Sequence, residues 1–331
     1  MIMSEWIYWI AGAFFATVGI QIARDPAHSK RWTNAAFWIL LGACFFYGGF
    51  IPGKTGASAL GPKLPAAPLG AMVIALALIA GLGLTSRGDV LTTTEGERES
   101  FARRYGSRLF IPALTVPVVT VIIAAGISKI PVNGKPMFAT GTETIQGLTI
   151  GCLVALLVAV VMFRVKSPAV PLHEGRRLLE SIGWAVLLPQ MLSTLGTLFT
   201  NAGVGTIVGE FTRSITPEGN RIVAVLIYAL GMFVFTAIMG NAFAAFPIMT
   251  AAIGWPVLVE AYGASPAPLF AVAMLAGFSG TLVTPMAANF NIVPAALLEM
   301  KNQYGPIKAQ IPTALIMLAV NIVFMCVFPW L

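Results

Sequence analysis

The sequence predicts an all-α polytopic membrane protein with about nine membrane segments, some of them broken or re-entrant. Three observations predict it. Of the 331 residues, 57% are hydrophobic and 10% are charged, against roughly 25% charged in a soluble domain. A soluble fold of this length would have to expose large apolar patches. Nine stretches carry no Asp, Glu, Lys, Arg or His: 6–23, 32–53, 64–86, 109–128, 144–163, 181–209, 222–259, 261–298 and 309–331. Each is close to or longer than the roughly 20 apolar residues that a spanning helix needs. Finally, the basic residues alternate between connections. Arg24, Lys30 and Arg31 follow the first stretch, Arg87, Arg98, Arg103, Arg104 and Arg108 the third, and Arg164, Lys166, Arg176 and Arg177 the fifth. The connections between these hold only Lys54 and Lys63, then Lys129 and Lys135. Cytoplasmic loops collect Lys and Arg, so the N-terminus is expected outside. The net charge of +7 follows from this topology, and nucleic acid is not an expected partner.

Taken in order, the first stretch follows Glu5 with no basic residue before it, so it reads as a retained helix and not as a signal peptide. Residues 52–68, with Pro52, Pro62, Pro65 and Pro68, read as an irregular external loop. Residues 86–108 mix Asp89, Glu95, Glu97 and Glu99 with arginines, which fits a solvated, partly helical cytoplasmic connector. Residues 133–143 read as an external turn broken by Gly134, Pro136 and Gly141. The first part of the chain, 1–174, is therefore expected to be a scaffold of five conventional helices. Cys44, Cys152 and Cys326 are scattered within apolar stretches and suggest neither disulfides nor a metal site.

The pattern changes in 175–331. Arg176, Arg177 and Glu180 precede an apolar run, as in an interfacial helix. The stretches 222–259 and 261–298 are each 38 residues long. That is too long for one span and short for two, so each is expected to hold a full helix and a half-crossing segment. Breaks are expected where helix-breaking residues cluster: 196–205, 240–247, and 277–285 running on to Pro294. The first and third clusters share Gly-Thr-Leu-x-Thr, at 196–200 and at 280–284, followed by Asn201 or Pro285.

Backbone groups in hydrocarbon must be bonded internally. Breaks persist there only where protein or a cavity satisfies the freed groups. Half-helix N-termini then attract anions, and freed carbonyls attract cations. Thr197, Thr200, Asn201, Gly203, Asn241, Ser279, Thr281, Thr284, Asn289 and Asn291 are the candidate solute- or ion-binding residues. The competing reading is packing, in which small residues bring helices close and Thr bonds its own helix. Glu260 and Glu299 fit the membrane surface, and Glu210, Arg213, Glu218 and Arg221 flank a hydrophilic turn at 216–219. His28 and His173 lie in loops with no nucleophile or metal ligand nearby in sequence. No phosphate-binding loop, catalytic triad or zinc spacing occurs. No enzyme, metal or cofactor is expected.

The run Gly240-Asn-Ala-Phe-Ala-Ala-Phe-Pro-Ile-Met-Thr-Ala and the run Ser279-Gly-Thr-Leu-Val-Thr-Pro-Met-Ala-Ala-Asn-Phe-Asn-Ile-Val-Pro-Ala-Ala-Leu-Leu-Glu resemble a bacterial membrane family first recorded as a domain of unknown function. Gln310-Ile-Pro-Thr-Ala-Leu and residues 195–209 extend the resemblance. Members of that family are often labelled as one subunit of a two-subunit 5-oxoproline (pyroglutamate) transporter. The family is distantly similar to the ion-transporter superfamily, which uses helical hairpins and broken helices. The resemblance implies a second membrane subunit, a small carboxylate solute and hairpin or unwound tips at the two repeats. Thr197 and Thr200-Asn201 are the nearest match to that superfamily's sodium motif, which leaves coupling to Na+ or H+ open. The expected function is secondary transport by 175–331 in a bacterial inner membrane. The expected carboxylate position is at half-helix N-termini near 196–205 and 280–291. A passive channel and an accessory subunit that binds no solute are the alternatives.

Overall fold

The computed structural model describes residues 4–51, 63–88, 93–132, 135–136, 138, 142–165, 167, 169–215 and 220–330. Apart from a two-residue ladder pairing Pro131–Val132 with Lys135–Pro136, its regular structure is helical. The chain divides into two compact units, Met1–Glu180 and Ser181–Leu331. Among the described residues, six helical spans are long and apolar enough to cross a membrane: Glu5–Ala23, Gly96–Lys129, Glu143–Met162, Arg221–Met239, Ala242–Ala261 and Gly305–Trp330. Ala67–Gly81 and Pro266–Thr281 are shorter apolar helices. Ile74, Leu114, Leu157, Val161, Ile316 and Val323 are more than half exposed. Apolar outer faces on this scale fit lipid and not water. The protein is a polytopic helical membrane protein.

In the first unit, α1 (Ser4–Ala23) packs along α2 (Arg31–Gly48). Glycine makes the approach close: a Cβ on Gly42 would lie 2.6 Å from the Gly12 carbonyl oxygen. Helix α3 (Ala67–Gly81) packs on α2. Helix α4 (Glu95–Tyr105) starts in a capping box, with the Glu97 N–H donating to Thr94 Oγ1 and the Thr94 N–H to Glu97 Oε2. It leads into α5 (Phe110–Val121), which loosens into a π-helical turn at Ile122–Gly126 and pairs with α6 (Glu143–Met162). Residues 52–62 of the expected external loop, most of 133–141 of the expected external turn, and the hydrophilic turn at 216–219 lie outside the described residues.

Helix α7 (Ala169–Ile182) carries the charged residues that precede the apolar run, and two of them, Arg176 and Glu180, are buried. Arg176 Nη2 donates to Asp25 Oδ2 at 2.6 Å and Arg176 Nε to Glu180 Oε1 at 3.1 Å. The Gly88 N–H donates to Glu180 Oε2 at 3.0 Å. His28, also buried, has Nε2 3.7 Å from Glu180 Oε1, and its Nδ1 accepts the Lys30 N–H. Asn34 Nδ2 lies 3.2 Å from His28 Nε2 and donates to the Ser86 carbonyl. The clasp joins the α1–α2 turn, the segment after α3, and α7. Asp25, His28 and Lys30 lie in the first basic connection, Ser86 and Gly88 in the second, and Arg176 in the segment that follows the fifth stretch. Burial pulls the Arg176 guanidinium down, but its bonds to Asp25 and Glu180 outweigh that and raise it above its ordinary value.

The second unit is built on α10 (Arg221–Met239), α12 (Pro266–Thr281) and α14 (Gly305–Val327). Tyr228, Met232, Leu269, Ala273, Ala276, Leu318 and Met325 form its core. Two shorter helices, α8 (Leu188–Asn201) and α9 (Val204–Ile215), join through Ala202-Gly203, where Gly203 has φ +71°. At 1.5 Å per residue they are about 21 and 18 Å long, short of a hydrocarbon layer of roughly 30 Å. Both lie on α11 (Ala242–Met249), which continues as a π-helix over Thr250–Ala261. Pro247 and Pro256 each remove a backbone donor from this span, the kind of interruption that loosens helical register. A six-residue helix, α13 (Ile292–Leu297), precedes α14.

The two long stretches resolve differently. Residues 222–259 hold two helices, α10 and α11 with its π extension, each long enough to cross. A full helix plus a half-crossing is corrected here, because Gly240-Asn241 makes the turn in two residues. Gly240 caps α10 in the left-handed conformation at φ +70°. Asn241 caps α11, its Oδ1 accepting the Phe243 N–H at 2.9 Å. Residues 261–298 hold one 16-residue helix, α12, a non-helical run and α13.

Candidate functional site

The break after α12 and the turn before α11 meet at a cavity of about 140 Å3. One wall is Gly240–Phe243. The other is Phe278 and Thr281 of α12 together with Met286–Phe290. Phe243 and Phe278 meet edge-on with ring centres 5.6 Å apart. Close packing of α10 on α12 brings the walls together. A Cβ on Gly277 would lie 3.2 Å from Ala242 Cβ, and one on Gly280 would run into the Phe233 carbonyl.

Two helix ends of opposite polarity face this space. Residues 242 and 243 are in the first turn of α11, where the helix dipole favours an anion, and the Phe243 N–H is taken by Asn241 Oδ1. Phe278 and Thr281 belong to the last turn of α12, where carbonyls favour a donor or a cation. Within 280–291 the chain holds the C-terminus of α12 at Thr281 and, at Asn291, the start of α13, and the longer helix whose N-terminus lines this cavity is α11, at Asn241–Phe243. Among the described residues, no ionisable side chain lines the cavity. Its polar side chains are Asn241, Thr281 and Asn289. The Asn289 side chain is exposed.

The remaining sequence candidates divide into two groups. Ser279, Thr284 and Asn291 are buried beside the cavity. Ser279 Oγ donates to the Leu275 carbonyl at 3.3 Å, and Thr281 Oγ1 to that of Phe278 at 2.6 Å. Both hydroxyls bond their own helix, as packing predicts. Asn291 Nδ2 donates to the carbonyls of Thr281 (2.9 Å) and Thr284 (2.7 Å). Thr197, Asn201 and Gly203 lie on the α8–α9 pair, away from this lining. Thr197 and Asn201 are exposed, and the Thr200 side chain lies outside the described atoms. The repeat ends a helix in both copies, at Asn201 and at Thr281. Gly196 and Gly205 seat the pair against Ala244 and Ile248 of α11.

Sequence reasoning missed the aromatic wall, because Phe243 and Phe278 resemble any other apolar residue. It also missed the clasp, whose members are far apart in sequence. The one available signal was the Arg176–Glu180 spacing of four, which places both on one helix face.

Residues 5–330 match the profile of a family described as "Protein of unknown function (DUF979)". The chain belongs to that family. The match covers nearly the whole chain, so both units and the cavity between Asn241 and Asn289 lie within the family's extent. No curated protein and no solved structure matches the chain.

Proposed function

We propose that this chain is the solute-binding subunit of a secondary transporter for a small carboxylate, 5-oxoproline being the best fit. One observation carries the reading: a small uncharged cavity has a helix N-terminus on one wall and a helix C-terminus on the other. The solute offers complementary groups. Its carboxylate meets the first turn of α11 at Ala242, where the helix dipole favours an anion, and its lactam N–H faces the carbonyl end of α12. Its lactam oxygen accepts from the amide of Asn241 or Asn289. The volume of about 140 Å3 falls below the roughly 300–1,000 Å3 of drug-sized sites, which suits a small ring acid.

Helix lengths support access from one side at a time. α10 and the span Ala242–Ala261 are each long enough to cross, so an upright crossing puts the Gly240-Asn241 turn near one rim of the hydrocarbon layer. Exchange of the solute to the other side then needs movement of the broken elements, with Na+ or H+ supplying the drive. A distant kinship with hairpin-bearing ion transporters fits the short α8–α9 pair. The family resemblance adds a second membrane subunit. The span Gly96–Lys129 has 6% of its apolar window buried and leaves a long face for that subunit or for lipid. Basic-loop alternation supports an N-terminus outside, and the family resemblance points to a bacterial inner membrane.

The test is uptake of labelled 5-oxoproline into proteoliposomes containing the chain and its partner subunit, with and without a sodium or proton gradient. Saturable, gradient-driven uptake is expected, and Asn289→Ala is expected to abolish it with membrane insertion unchanged. Uptake that neither saturates nor concentrates solute points to a channel. Full uptake by the Asn289→Ala protein reduces this chain to an accessory role.

A further inference from the structure

Position 285 is a proline, and this determines what the end of α12 lacks. In a continuous helix the Thr281 carbonyl would accept the N–H of residue 285, but Pro285 has none. Helix α12 ends at Thr281, and the chain runs irregularly to Asn291. Asn291 is 0% exposed, and its Nδ2 donates to the carbonyls of Thr281 and Thr284 at 2.9 and 2.7 Å. Both amide protons are used, which fixes the orientation of the group. The Met286 N–H is bonded locally, to Thr284 Oγ1 at 3.2 Å. The wall that follows, Met286–Phe290, lines the cavity, and Asn291 is not among the lining residues.

We infer that Asn291 is the positioning residue of this cavity: its amide replaces the N–H that Pro285 cannot offer and holds 282–290 with Asn289 facing the first turn of α11. It acts through the segment and does not touch solute, which revises its place among the binding candidates. The functional consequence rests on the transport reading; the structural one does not.

Two measurements on the full chain in lipid nanodiscs separate the claims. In hydrogen exchange without solute, Asn291→Ala should speed exchange of amides 283–293 about tenfold, equal to about 1.4 kcal/mol, leaving α10 and α14 as before. Adding Pro285→Ala to Asn291→Ala supplies the missing N–H and should restore protection. In uptake of labelled 5-oxoproline, Asn291→Ala should raise the half-saturating concentration, whereas Asn289→Ala should abolish uptake with exchange unchanged. Unchanged exchange in Asn291→Ala overturns the inference, whatever happens to uptake. If Asn291→Ala does not insert, the double variant decides: recovery of folded protein supports the role, and no recovery overturns it. Absence of 5-oxoproline uptake by the unaltered protein removes the transport reading and leaves the exchange result to stand alone.

Discussion

Asn241 and Asn291 show how one residue type serves two ends of a break. The Asn241 oxygen accepts a backbone N–H and starts a helix; the Asn291 nitrogen donates to two carbonyls and closes one. Substituting Asn241 separates capping from solute binding. Asn241→Ala removes the cap and should cost about 0.5–2 kcal/mol of stability, read as a lower thermal midpoint in detergent. Asn241→Asp keeps an accepting oxygen for the Phe243 N–H but adds a negative charge to the cavity. Stability should be retained while 5-oxoproline uptake falls at least about tenfold, the scale of one lost charge-assisted contact. Equal uptake by both variants would contradict an anion at the first turn of α11.

At the level of elements, α10 and α12 cross closely because Gly277 and Gly280 carry no side chain. A methyl at Gly280 meets the Phe233 carbonyl and Thr236 Cβ, both parts of a packed helix that cannot yield cheaply. Gly280→Ala should destabilise by about 1–3 kcal/mol and open the cavity wall. Gly48→Ala, at a position with open space around it, is the matched control and should change little. Loss of stability in both, measured by thermal unfolding, would show that the crossing is not the cause.

For the molecule as a whole, the clasp in the first unit ties connections that alternate topology places on one face. The Arg176 hydrogen bond holds the Asp25 carboxyl below its ordinary value, against a smaller opposing effect of burial. A carboxyl lowered in the folded state binds fewer protons there than in the unfolded chain. Its contribution is present above the ordinary carboxylate range and is lost as pH falls through the lowered value. The thermal midpoint should therefore drop as pH falls below about 4, and Arg176→Met should flatten that drop. At neutral pH Arg176→Met leaves Glu180, whose side chain is fully buried, with the Gly88 N–H and His28 but no guanidinium, and should cost up to about 3–5 kcal/mol. Adding Glu180→Gln should recover part of the loss, as coupled partners do.

The sequence by itself determined the solvent and the places where helices fail. Charge-free stretches of membrane length leave lipid as the only medium that suits them. Gly203, Gly240 and Pro285 dictate ends because a left-handed turn or a missing N–H is a local property. It did not reveal which ends meet. The repeat at 196–200 and 280–284 is equally visible in both copies, yet the cavity is lined by Thr281 from the second copy and by neither Thr197 nor Asn201 from the first. Nor could it give the polarity of the ends, or the burial of His28 and Glu180. Those depend on which helices pack together, and packing joins residues whose separation along the chain carries no periodic mark.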